Sequence, residues 1–311
     1  MSRPRIGLAL GSGAARGLAH IGVIRALAEA GIEPDIVCGS SIGAIVGASY
    51  AAGKIEALED WVRTITWREI VSLLDVRFSS GGLIEGERLI RFLSELLGDV
   101  AIENLAKPFA AIATDFHSGR EIWLKEGALT EALRASIALP GLFSPAKVGD
   151  RWLVDGGIVN PVPVSPCRAL GADIVIAVNL NGDLVSKHSV ATPESRVKTD
   201  GQGPWPELLE GLMSDIPSVV RGGVGAIAER LLGPETGSPG YFDVIFGSVN
   251  IMQDHITRSR MAGDPPDVML TPRLNQIGLL EFNRAEAAIE EGRRSVQRML
   301  PALKDAVGFS T

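Results

Sequence analysis

The sequence predicts a three-layer α/β domain built around a mostly parallel sheet, and three observations carry that prediction. Near the N-terminus, strand and helix patterns alternate: an apolar run at residues 6–10, helical periodicity over 18–30, a second apolar run at 36–38 and a helix over 42–52. That order is the signature of a parallel sheet covered by helices. Further strand-like runs recur at 109–114, 152–154, 174–180 and 268–271, and residues 174–178 are apolar throughout, as a strand buried on both faces should be. Finally, 311 residues with 46% hydrophobic and 22% charged content can bury a large core.

In the first helix Ile21, Ile24, Leu27 and Ala28 fall on one side, and Gly31 supplies the stop. Residues 36–53 hold no charge, and Gly39, Gly43 and Gly47 repeat at the four-residue spacing of a membrane packing motif. Seven of these eighteen residues are Gly or Ser and the stretch barely reaches a membrane span, so a strand followed by a helix is the preferred reading. Later helical patterns occupy 55–67, 86–97, 130–135 and 284–303, the last closing the fold as an amphipathic helix.

Between about 181 and 240 Gly, Pro, Ser and charge dominate, with helical periodicity only at 208–213 and 219–232. The expected organisation is one domain over 1–311, its core at about 5–180 and 241–305, with 181–240 a mobile insertion or cap.

A formal charge of −7 excludes a nucleic-acid footprint, which needs a basic face to neutralise phosphates. It also offers no broad attraction to anionic lipid, so any membrane contact is expected to be peripheral and local, through the apolar side of 219–232. The two cysteines, Cys38 and Cys167, lack metal-ligand spacing, and Gly11 interrupts the apolar run at 6–10 before it could form a signal-peptide core. A reduced, cytoplasmic location is expected.

Three glycine-rich motifs carry the chemistry. Gly39-Ser40-Ser41-Ile42-Gly43 is a G-x-S-x-G sequence placed where a strand ends and a helix begins. A nucleophilic serine on such a tight turn projects its hydroxyl outward, and flanking glycines relieve the crowding, which selects Ser41 over Ser40. Alone, the pentapeptide fits a plain Gly-rich helix start about as well.

Gly11-Ser12-Gly13-Ala14-Ala15-Arg16-Gly17 opens the first helix, where unpaired amides and a positive dipole suit a phosphate or an oxyanion. The dinucleotide fingerprint needs its third glycine where Arg16 stands, so nucleotide binding is the weaker alternative. Asp155-Gly156-Gly157 follows the run 152–154 and can approach another loop closely, although on the tripeptide alone a plain turn is the favoured reading. Of four histidines only His188 and His255 follow Asp155, and neither has the setting of a triad base. His20 and His117 read as ordinary surface or helix-face residues, which leaves an aspartate as the candidate base.

Together, in this order, the motifs resemble those of the patatin-like phospholipases: a G-x-G-x-x-[RK]-G oxyanion loop, a G-x-S-x-G elbow and a D-G-[GA] acid. A fourth block, Ala135-Ser136-Ile137-Ala138-Leu139-Pro140-Gly141-Leu142-Phe143-Ser144-Pro145, is similar to the family's A-S-x-x-x-P-x-x-F-x-P. Gly119 to Trp123 and Ala262 to Asp267 look like the small bacterial members called RssA. The resemblance implies a patatin-like three-layer fold, a Ser-Asp dyad, a lipid or acyl-ester substrate and no metal or organic cofactor. Carried onto this chain, it makes Ser41 the nucleophile, Asp155 the base, and Gly11 to Gly17 the oxyanion loop. Many relatives have more glycines there than this chain, which carries Ser12 and Ala14. The donor candidates are therefore the amides of Gly13, Ala14 and Ile42, with Arg16 fixing the loop. A regulatory or acyl-binding protein on the same fold is the alternative, and the oligomeric state is not legible.

Overall fold

The computed structural model describes residues 3–73, 76–79, 82–182 and 241–308. The segments 208–213 and 219–232, His188 and nearly all of the expected insertion at 181–240 lie outside the described residues. Strands β1 (Ile6–Leu10), β2 (Ile36–Ser40), β5 (Phe109–Asp115), β6 (Glu121–Leu124), β7 (Ala146–Val148), β8 (Arg151–Asp155), β9 (Ile174–Val178) and β10 (Val268–Leu270) form one sheet. Strands β3 (Val76–Ser79) and β4 (Gly82–Ile84) form a separate hairpin. The main order is β10-β9-β1-β2-β5-β8-β7, with β6 also on β5, and the five strands from β10 to β5 are mutually parallel.

Helices cover both faces. Leu8, Leu10, Val37, Phe109 and Ile176 turn to one side, into a core shared with α1 (Ala19–Glu29), α2 (Ile42–Ala51), α3 (Ile55–Thr64), α5 (Glu87–Leu97) and α6 (Leu129–Ser136). The intervening Ala9, Cys38, Ala110, Val175 and Ala177 turn to the other side, toward α7 (Val164–Ala169) and Met261 of α8 (Tyr241–Gly263). This alternation is the period of two that a doubly covered sheet requires. The expected three-layer α/β fold with a mostly parallel sheet is the fold observed.

The stretch 36–53 is β2 followed by α2, and nine of the ten α2 residues are buried in the protein core. No helix among the described residues is long and apolar enough to cross a membrane. The helix expected over 55–67 is two: α3 ends at Thr64 and α4 runs Trp67–Leu73. The break has a local cause, because Thr66 and Glu69 make reciprocal side-chain to backbone bonds, a capping box that starts a new helix. Strands β6 and β7 and helices α7 and α8 were not read from periodicity. Strands β6 and β7 span four and three residues and α7 six, each too short to repeat a pattern.

The closing helix α9 (Ala285–Ala306) crosses α1 at glycines. A Cβ on Gly292 would run into the carbonyl oxygen of Ala19, and one on Gly22 into that of Ile289. Replacing Gly292 with Val should therefore force the helices apart and lower unfolding stability by about 1–3 kcal/mol in urea titrations. Wild-type stability in that variant would show that the crossing is looser than described.

Candidate active site

The register on β5 brings two distant strand ends together. Strand β2 runs parallel to β5 and pairs through Ser40 opposite Ile112, while β8 runs antiparallel and pairs from Asp155 opposite Ala113. Strand β6 spans Ala111 to Thr114 of β5 and so occupies the other edge, which puts β2 and β8 end to end on one edge. The residue that leaves β2, Ser41, thereby meets the last residue of β8, and Ser41 Oγ donates to Asp155 Oδ2 at 2.6 Å.

Ser41 sits in the left-handed half of backbone space, at φ 57 and ψ −126, a conformation that costs a non-glycine residue about 1–3 kcal/mol. The turn is held by close packing: a Cβ on Gly39 would strike the Gly43 carbonyl, and one on Gly43 the Leu10 carbonyl. The Ser41 amide donates to Ser136 Oγ at 3.0 Å, and Ser136 in turn donates to the Ile112 carbonyl at 2.6 Å. This explains the Ala-Ser pair at the head of the fourth motif: Ser136 ties the elbow to β5. As N-cap of α2, Ser41 does not fold its hydroxyl onto the helix, so the hydroxyl is left for Asp155. Ser40 is fully buried and its hydroxyl has no partner among the described residues.

Asp155 is 1% exposed. Its Oδ1 accepts from the Gly157 amide at 2.7 Å, and its own backbone is fixed by Ala138 and Thr114. Burial raises the carboxyl to about 6, against the lowering effect of the hydrogen bonds from Ser41 and Gly157. A carboxylate poised near neutrality and bonded to a hydroxyl is the arrangement a general base needs. Gly156 packs with no room to spare, since a Cβ there would meet the Ile112 carbonyl.

The first loop lies alongside. The amides of Gly11, Ser12, Ala15 and Arg16 are committed to the carbonyls of Val178, Pro161, Leu279 and Gly13. Those of Gly13, Ala14 and Ile42 have no acceptor among the described residues, and Ala14 is held at φ 49. Gly17 lets the loop close on the elbow, packing against the Ile42 side chain. Arg16 is buried and points inward, with Nη2 on Asn250 Oδ1 at 3.0 Å and Nε on the Gly13 carbonyl at 3.4 Å. Burial lowers it to about 10, so it stays charged beneath the loop at neutral pH.

His20, expected to be a surface or helix-face residue, lies on α1 but not at the surface. It is fully buried, and its Nε2 donates to the Gly11 carbonyl at 2.7 Å. A carbonyl only accepts, so Nε2 carries the proton, and burial lowers the imidazole to about 4, keeping it neutral. His117 and His255 are exposed.

A cavity of about 140 Å³ opens beside Ser41. Leu18, Ile45, Leu58, Trp61, Leu93 and Phe143 are among its walls, and among the described residues Ser41 is the one polar residue lining it. None of these lining residues from α3 or α5 carried a motif, and only their apolar spacing on the helices hinted at an inward face.

A family profile described as patatin-like phospholipase matches residues 8–168. An uncharacterized NTE family protein of Mycobacterium tuberculosis is 35% identical over 97% of this chain and 93% of its own length. Patatin-like phospholipase domain-containing protein 7 of Rattus norvegicus is 37% identical over 56% of this chain and 13% of its own. Among solved structures, VipD from Legionella pneumophila aligns over 97% of this chain and 67% of that one, at 14% identity and a TM-score of 0.44.

The Asp155 environment has a measurable consequence for stability. Its folded value lies above the unfolded one, so its contribution is fully present at low pH and is lost as pH rises from about 4 through about 6. Asp155→Asn should therefore melt above wild type at pH 8 and level with it near pH 4. Equal melting temperatures at pH 8 would contradict a desolvated carboxyl.

Proposed function

The chain belongs to the patatin-like phospholipase family, whose members are hydrolases of lipid esters, and from that premise we propose that Ser41 and Asp155 work as a catalytic dyad on a lipid acyl ester. The observation that carries the reading is the 2.6 Å hydrogen bond from the Ser41 hydroxyl to a buried carboxylate at the mouth of an apolar cavity. Asp155 takes the hydroxyl proton as Ser41 Oγ attacks the ester carbonyl carbon. The carbonyl oxygen becomes an oxyanion, which the free amides of Gly13, Ala14 and Ile42 and the N-terminal dipole of α2 stabilise. As the tetrahedral intermediate collapses, the leaving alkoxide takes the proton back from Asp155 and an acyl-serine remains. Water then attacks, Asp155 accepts its proton, and the second collapse returns that proton to Ser41 and frees the carboxylic acid. Within the cavity the acyl chain would lie among aliphatic and aromatic walls, while the head group stays outside.

The dyad needs no histidine in this reading, because desolvation gives the carboxylate the basicity that an exposed aspartate lacks. A kinship with RssA-type members rests on Gly119 to Trp123 and Ala262 to Asp267. These residues also have structural tasks: Glu121 binds Arg260 and Asn160, and Asp264 and Asp267 bind Arg168. They therefore do not by themselves favour a regulatory role.

Ser41→Ala should abolish hydrolysis of a short-chain nitrophenyl ester and labelling by a fluorophosphonate probe, with the fold intact by circular dichroism. Full labelling of that variant would refute the nucleophile, and absence of labelling in wild type would favour an acyl-binding protein without catalysis. Because the base must be ionised, log kcat/KM should rise with pH below about 6 and level off above it. A profile flat from pH 4.5 to 8 would remove Asp155 from the role of base.

A further inference from the structure

Three loops of the site converge on one side chain from α8, a helix that no motif marked. Gln253 is 4% exposed, and its Oε1 accepts from Ser12 Oγ at 3.1 Å and from Asn181 Nδ2 at 2.9 Å. Its Nε2 lies against Gly157, where even a Cβ would collide with it. Ser12 precedes Gly13 in the oxyanion loop, Gly157 is the amide that holds Asp155, and Asn181 follows β9. One turn earlier on the same helix Asn250 receives Arg16 Nη2. The helix thus grips the first loop on both sides of Gly13 and Ala14, the two loop amides without acceptors among the described residues.

We infer that Gln253 is a positioning residue for the hydrolysis proposed above: through Ser12 and Gly157 it sets the distance between the oxyanion donors and the Ser41–Asp155 pair. The inference rests on that reading. Oxyanion donors act only within a few tenths of an ångström of the right place, and a shift of about 1 Å costs on the order of 100-fold in rate. The loop does not hold this shape on local preference, since Ala14 is in the left-handed region, where alanine is disfavoured. Its backbone ties run to Val178, Pro161 and Leu279, and none of them reaches the acid loop at Gly157. Ser12 itself packs against Gly157, and Gln253 closes over that junction and touches both residues.

The experiment is a double-mutant cycle. Gln253→Met keeps the length of the side chain and removes its acceptor, and Ser12→Ala deletes the same hydrogen bond from the other partner. Each should lower kcat, Gln253→Met by on the order of 100-fold, with KM little changed and fluorophosphonate labelling slowed in parallel. The double variant should be no slower than the slower single, because both remove one interaction. Wild-type kcat in Gln253→Met, a lowered melting temperature with kcat intact, or losses that multiply in the double variant would each overturn the inference. If Gln253→Met does not fold, Ser12→Ala decides alone: a reduced kcat at unchanged KM supports the role and an unchanged kcat removes it. Ser41→Ala run beside them separates the two levels. Activity surviving in it would sink the hydrolase reading and this inference together, whereas an inactive Ser41→Ala beside an unaffected Gln253→Met sinks the positioning role alone.

Discussion

The hydrogen bond between Ser41 and Asp155 depends on one feature of the sheet: β5 is longer than the strand beside it. Strand β2 ends opposite Ile112, and the vacant edge beyond it is taken by β8 running the opposite way. Two strand ends that face each other along one edge must bring their terminal side chains close, whatever the length of chain between them. The 114-residue separation of Ser41 and Asp155 is thus closed by backbone pairing before any side chain contributes. Thr114, bonded to the Asp155 carbonyl, and Ser136, bonded to the Ser41 amide, then fix both ends to β5 and its neighbour α6.

The rest of the site follows from burying that pair. A carboxyl at 1% exposure resists ionisation, and two donors, Ser41 and Gly157, make ionisation near neutral pH attainable. The two opposing effects leave a carboxyl that, in the proposed role, is basic enough to draw on a hydroxyl. Charge is handled the same way under the first loop, where buried Arg16 has an amide oxygen and a carbonyl as its partners among the described residues. A positive group held there, with the α2 N-terminus beside it, biases the loop toward negative charge in the cavity. The cavity itself is apolar, so in the proposed reaction charge developing at Ser41 would be weakly screened and the fixed donors would count for more.

Much of this was legible in the residues. The parallel half of the sheet could be read because its strands are short apolar runs set off by helices with a clear apolar face, as in Ile6 to Leu10 and the run at 174–178. The three glycine motifs could be read because tight turns and close backbone approach restrict the residue type: the Gly39 and Gly43 positions admit no Cβ. Of the antiparallel strands in the main sheet, β8 was legible as the run at 152–154, whereas β7 and β6, three and four residues long, were opaque. The depth of His20 was not legible, because a lone histidine on an apolar helix face gives no sign of it.

Taken alone, the sequence determined which turns are tight, which segments are buried on both faces and which residue types stand ready for acyl chemistry, because these are local constraints written in glycine, in serine and in hydrophobic period. Only the tertiary structure decided that Asp155 lies opposite Ser41, that burial makes it basic, and that Gln253 and Asn250 of α8 reach the first loop. Those facts depend on strand register and on which side chains exclude water from one another, and neither is a property of any short stretch of chain.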